Sequence, residues 1–123
     1  MILGIQDVYY NVQDMDRAVR FYRDVLGLTV LATNPYWTSL DVGGQRFGLH
    51  WSEGGPIPPV PRDDHGAHAG ATVTFKVADV AAAHAKLTAA GVKFLSGVTK
   101  NPWGTLAVFE DPDGNVLKLM QAA

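Results

Sequence analysis

An α+β fold made of two βαβββ modules is predicted by three observations: a motif that repeats half a chain apart, an alternating strand before each copy, and an amphipathic helix after it. Val12-x-Asp14-Met15-x-x-Ala18 recurs as Val77-x-Asp79-Val80-x-x-Ala83, displaced by 65 residues at every matched position. The glycines that follow, Gly27 and Gly91, are 64 apart, so the repeat slips by one residue along the helices. Such self-similarity is the mark of a duplicated unit.

Each module opens with a strand. Val8, Tyr10 and Val12 alternate with Asp7, Tyr9 and Asn11, and Val73, Phe75 and Val77 alternate with Thr72, Thr74 and Lys76, the period of a half-buried strand. Asp14 and Asp79 then stand where an N-cap accepts the free N–H groups of a helix start. Met15, Ala18, Val19, Tyr22, Val25 and Leu26 recur at spacings of three and four, and Val80, Ala83, Leu87 and Ala90 do likewise, so both helices have an apolar stripe. Gly27 and Gly91 suit the left-handed residue that closes a helix.

Three shorter apolar runs complete each module: Thr29 to Ala32, Trp37 to Val42 and Arg46 to Trp51, then Lys93 to Leu95, Thr105 to Phe109 and Val116 to Met120. Gly43-Gly44 and Asp111-Pro112-Asp113-Gly114-Asn115 are hairpin connections. Module 1–52 and module 70–123 are separated by 53–69, whose proline and glycine content predicts a linker or mobile flap without regular structure. Two four-stranded sheets, each backed by one helix, must cover their remaining faces, and covering each other would enclose a cavity. The whole of 1–123 is expected to be a single domain.

Composition narrows the function. The 123 residues are 47% hydrophobic, enough for one core, and carry a formal net charge of −2 from 10 basic and 12 acidic residues. No basic stripe is available for nucleic acid or an anionic membrane. The absence of cysteine removes disulfides, thiolate metal sites and a cysteine nucleophile. No run approaches the ~20 apolar residues that span a bilayer, and MILGIQDVYYNV has no basic segment ahead of a long apolar one. A soluble, cytoplasmic protein is expected, with neither nucleic acid nor membrane as partner.

Several motifs together resemble the vicinal oxygen chelate superfamily, which includes glyoxalases, dioxygenases and bleomycin resistance proteins. They are Val12-Gln13-Asp14-Met15-Asp16-Arg17-Ala18-Val19-Arg20-Phe21-Tyr22 with Leu26-Gly27, Phe75-Lys76-Val77-Ala78-Asp79-Val80, Pro102-Trp103-Gly104, and Asp111-Pro112-Asp113-Gly114-Asn115. The resemblance implies a cupped, barrel-like mixed sheet with the helices outside, commonly completed by a homodimer. It also implies where metal-dependent members hold their ion: on the first and last strands of each unit, here Asp7, Gly48, Thr72 and Lys118. A divalent cation wants imidazole, carboxylate or carbonyl donors. In this set only Asp7 is a good ligand, and Lys118 brings a positive charge, so neither metal nor other cofactor is expected.

Strand alternation puts Asp7, Tyr9 and Asn11, Trp37, Ser39 and Asp41, Gly48 and His50, Thr72, Thr74 and Lys76, and Val116, Lys118 and Met120 on the face away from the helices. Such a mixture of rings and polar groups suits a small organic molecule, although Tyr9, Trp37 and Met120 could equally fill space between modules. Lys118 and Asp7 would anchor a polar ligand, or Lys118 would run to the cavity mouth. His50 is a candidate general base or a hydrogen-bonded interior group. Trp103 would cap the pocket or cover an edge. His65 and His68 form an H-x-x-H without a carboxylate partner, His84 is expected on a solvated helix face, and Asp111, Asp113 and Asn115 are explained by turn geometry.

The predicted function is metal-independent binding of a partly aromatic small molecule by Asp7, Tyr9, Trp37, Gly48, His50, Thr72, Trp103, Lys118 and Met120. The alternative is a glyoxalase- or dioxygenase-like enzyme of lyase or isomerase type, acting by acid–base chemistry or with an atypical metal site.

Overall fold

The computed structural model describes residues 1–60 and 71–123 in full and the backbone of 62–63 and 66–67. His65 and His68 lie outside the described residues. The chain divides into two compact units, Met1–Ile57 and Pro58–Ala123.

In the first unit, strands β1 (Val8–Val12), β2 (Thr29–Thr33), β3 (Trp37–Val42) and β4 (Gln45–Trp51) form one mixed sheet in the order β1-β4-β3-β2. β1 runs parallel to β4, and the other pairs are antiparallel. Gly43 and Gly44 link β3 to β4 with φ of 57° and 91°, a pair of left-handed residues whose twist matches that of the two strands. Val12, Leu40, Phe47 and Leu49 point to one side of the sheet and are buried beneath Met15, Ala18, Phe21 and Tyr22 of the helix. Each large side chain so buried contributes about 1.5–3 kcal/mol.

Helix α1 (Met15–Val19) starts as the sequence predicts, with the Asp14 carboxylate accepting from the Arg17 backbone N–H at 3.0 Å. From Arg20 to Val25 the coil widens into a π-helix. Leu26 N–H reaches back five residues to the Phe21 carbonyl at 2.9 Å, and Leu28 N–H reaches the Tyr22 carbonyl at 3.0 Å. This accounts for the slip in the repeat. One residue inserted into an α-helix is accommodated by widening a turn, which here lets the adjacent rings of Phe21 and Tyr22 both enter the core, 5.2 Å apart and edge-on.

The second unit repeats the connectivity with β7 (Val73–Lys76), α2 (Val80–Ala89), β8 (Lys93–Phe94), β10 (Gly104–Glu110) and β11 (Val116–Ala122). The order is β7-β11-β10-β8, and a further strand, β9 (Thr99–Asn101), also pairs with β10. The predicted run Lys93 to Leu95 is thus only the first piece of a broken strand. Leu95 N–H still donates to the Val108 carbonyl at 2.8 Å, and the Ser96 hydroxyl accepts from Val108 N–H at 3.3 Å, which carries pairing across the gap.

Helix α2 is capped by Asp79 Oδ1 on Ala82 N–H at 3.0 Å and closes regularly. Val92 N–H donates to the Leu87 carbonyl and Gly91 N–H to the Thr88 carbonyl, both at 3.0 Å, around Gly91 at φ 92°: the paired bonds of a Schellman close.

Two expectations need correction. The segment 53–69 is not wholly irregular, because β5 (Arg62–Asp63) and β6 (Gly66–Ala67) pair antiparallel within it. Backbone N–H and C=O groups of two short segments can pair whatever their side chains. His84 is not on a solvated face either: its ring stands 4.2 Å from that of Phe94 and is half-buried.

Candidate functional site

The open face of the first sheet gathers four of the predicted site residues. Register puts Tyr9 of β1 and Ser39 of β3 on either side of Gly48 in β4, and Asn11 and Trp37 on either side of His50. A Cβ added to Gly48 would overlap the six-membered ring of Trp37, so the indole lies directly against the Gly48 backbone. The Trp37 Nε1–H donates to the Ser39 hydroxyl at 2.9 Å, which fixes the ring in that pose. Tyr9 meets Trp37 edge-to-face at a centroid separation of 5.3 Å, and His50 stands 5.8 Å from Tyr9 and 6.3 Å from Trp37. Rings at these distances and inclinations attract through edge and face.

The platform remains open to solvent within its unit. Tyr9 is 51% exposed, His50 and Asn11 are exposed, and Trp37 is half-buried. His50 Nδ1 is 3.0 Å from Asn11 Oδ1. Asp7, half-buried, falls one residue ahead of β1.

The corresponding face of the second sheet has another character. Lys118 lies between Thr74 and Val108, and Met120 between Lys76 and Leu106. Both are half-buried, and Thr72, also half-buried, precedes β7 by one residue. Trp103 occupies the turn between β9 and β10 and is 56% exposed. In this unit the Asp111 carboxylate, 5% exposed, accepts from the N–H groups of Asp113 and Asn115 and from Asn115 Nδ2, each at 2.9 Å. Asp111 therefore organises its own turn.

Asn11 and Ser39 belong to the platform although neither stood among the favoured site residues. Alternation assigned them to the right face; their partnerships depend on strand register, for which the sequence has no local sign. A separate groove of about 590 Å³ on the helix side of the first unit, walled by Asp14, Asp16, Asn34 and Trp51 among others, has no sequence signature at all.

The four positions that hold a metal in the resemblance do not fit one here. At position 48 the space next to Cα is filled by the Trp37 indole, so no side-chain donor fits there without displacing it. Position 118 presents an ammonium and position 72 a hydroxyl, neither a favoured donor for a divalent ion. Among the described residues no three His, Cys, Asp or Glu side chains are grouped as a metal site would need. No described helix is long and apolar enough to cross a membrane.

Known proteins agree with this architecture. The Bacillus subtilis (strain 168) protein YetH is 27% identical over 98% of this chain and 100% of its own. Among solved structures, SMU.1112c superposes with a TM-score of 0.79 at 25% identity, covering 98% of this chain and 100% of the other. TnmS3, an antibiotic binding protein from Streptomyces sp. CB03234, superposes with a TM-score of 0.70 at 27% identity and 100% coverage of both. The family profile matches residues 4–119, nearly the full length. This chain belongs to the Glyoxalase/Bleomycin resistance protein/Dioxygenase superfamily.

Proposed function

We propose that this protein binds a planar, partly aromatic small molecule without a metal, using the open face of its first unit. The carrying observation is the contact of Trp37 with Gly48: a glycine at this position lets an indole lie on the sheet where a side chain would otherwise rise. Tyr9 and His50 supply two further rings, while Asn11 and Ser39 supply directional polar groups. Flat aromatic surface with a few fixed polar contacts is the lining that organic ligands favour. The likeness to an antibiotic binding protein over the full length supports the same reading. Asp7 is proposed as a further ligand contact of the first unit, Thr72, Trp103, Lys118 and Met120 as ligand contacts of the second, and a homodimer as the assembled form.

Thermal unfolding of chelator-treated protein tests this. Planar aromatics at a hundredfold excess over Kd should add about 2.7 kcal/mol and raise Tm by about 10 °C, whereas Mn, Ni or Zn salts should leave it unchanged. Stabilisation by a divalent metal at stoichiometric levels, with none by aromatics, would overturn the proposal in favour of metal-dependent chemistry.

A further inference from the structure

Building on the binding reading above, we infer that Asn11 sets the polarity of His50, and that the ligand taken here is an aromatic carrying a hydrogen-bond donor such as a phenolic hydroxyl. The two side chains face each other because β1 and β4 are parallel with Asn11 opposite His50. Their contact joins His50 Nδ1 to the amide oxygen of Asn11 at 3.0 Å. An amide oxygen only accepts, so Nδ1 must carry the proton. In a neutral imidazole the other nitrogen, Nε2, then holds a lone pair and accepts. Among the described residues Nε2 has no hydrogen-bond partner, and the ring is exposed beside Tyr9 and Trp37.

The polar groups on this face divide the work. Trp37 Nε1–H is committed to the Ser39 hydroxyl, which leaves His50 Nε2 as an acceptor at the margin of the aromatic platform. A molecule stacked on these rings meets an acceptor beside them, and a donor on its own rim satisfies it. Aromatic rings bearing hydroxyl or N–H groups meet that description, and their O-methylated or fully N-alkylated counterparts do not.

Nitrogen-15 imidazole spectra at about pH 8.5, where imidazole is neutral, read the tautomer directly. His50 should carry its proton on Nδ1. Asn11→Asp, which keeps an acceptor, should preserve that state, and Asn11→Leu should return the ring to the Nε2–H form. Fluorescence titrations with β-naphthol and its methyl ether read the consequence. The naphthol should bind about three- to tenfold more tightly, and Asn11→Leu should erase the difference. An Nε2–H tautomer in the unmodified protein would overturn the assignment of Asn11. Equal affinity for the two probes with the Nδ1–H tautomer present would overturn the ligand class. Binding of neither probe would overturn the binding reading and this inference with it.

Discussion

The two units share one connectivity and differ in what their open faces present. In the first, Tyr9, Trp37 and His50 gather around Gly48; in the second, the matched strand carries Lys118 and Met120 among Thr74, Leu106 and Val108. Gly48 and Lys118 occupy equivalent positions, each four residues after its hairpin glycine, Gly44 or Gly114. The helix-side faces, by contrast, do the same job in both units: Leu40, Phe47 and Leu49 bury in one, and Ala107, Phe109, Leu117 and Leu119 in the other. The two units thus share the character of the packed face, where a volume change is costly, and differ on their open faces.

The units also secure their last hairpins differently. The first uses two positive-φ glycines, and the second a buried carboxylate with three donors. Asp111→Ala should therefore be the most damaging change, about 3 kcal/mol, because three donors lose a charged acceptor at once. Gly43→Ala should cost about 1–2 kcal/mol, the strain of a left-handed residue with a Cβ. Urea unfolding of the two variants measures the contrast, and equal costs would show that the hairpins are held alike.

Next in size is the matched pair of open-face positions. Gly48→Ala must push the Trp37 indole off the sheet and break its bond to Ser39, costing about 1–3 kcal/mol with a change in tryptophan fluorescence. Lys118→Ala should stay within about 0.5 kcal/mol. If Gly48→Ala is as mild as Lys118→Ala, the indole does not depend on the glycine.

Much of this was legible in the sequence, for reasons that can be named. Strand alternation assigns Tyr9, Trp37, Gly48 and His50 to one face because side chains in a strand have a period of two. The caps at Asp14 and Asp79 and the closing glycines mark both helices. The slip from 65 to 64 was visible too, but its meaning was not. Only the bonds from Leu26 and Leu28 identify it as a π-helix, because the apolar spacings from Met15 to Leu26 also satisfy an α-helix. The facing of Asn11 and His50 depends on a parallel pairing across 39 residues of sequence. β9 has no apolar alternation to announce it, and the β5–β6 pairing is made by backbone alone.

The smallest expected effect lies at the end of the widened helix. Arg23 Nε donates to Asp24 Oδ1 at 2.7 Å on the open surface. This hydrogen bond, more than charge attraction, holds the Asp24 carboxyl below the usual carboxylate range. A depressed carboxyl contributes stability above its unfolded value and loses it as pH falls through the folded one. Arg23→Gln should therefore move the Asp24 midpoint up in an NMR titration, while stability at neutral pH stays unchanged within error, as is usual for exposed pairs. A clear loss of stability would mean that the pair helps to hold the π-helical turn.

The most direct test of metal-free aromatic binding is an amide and indole NMR titration of chelator-treated protein with β-naphthol. Shifts centred on Tyr9, Trp37 Nε1–H, Gly48 and His50 are expected, with saturation and no added metal. Shifts centred on the second unit alone, or none until a divalent metal is supplied, would contradict it.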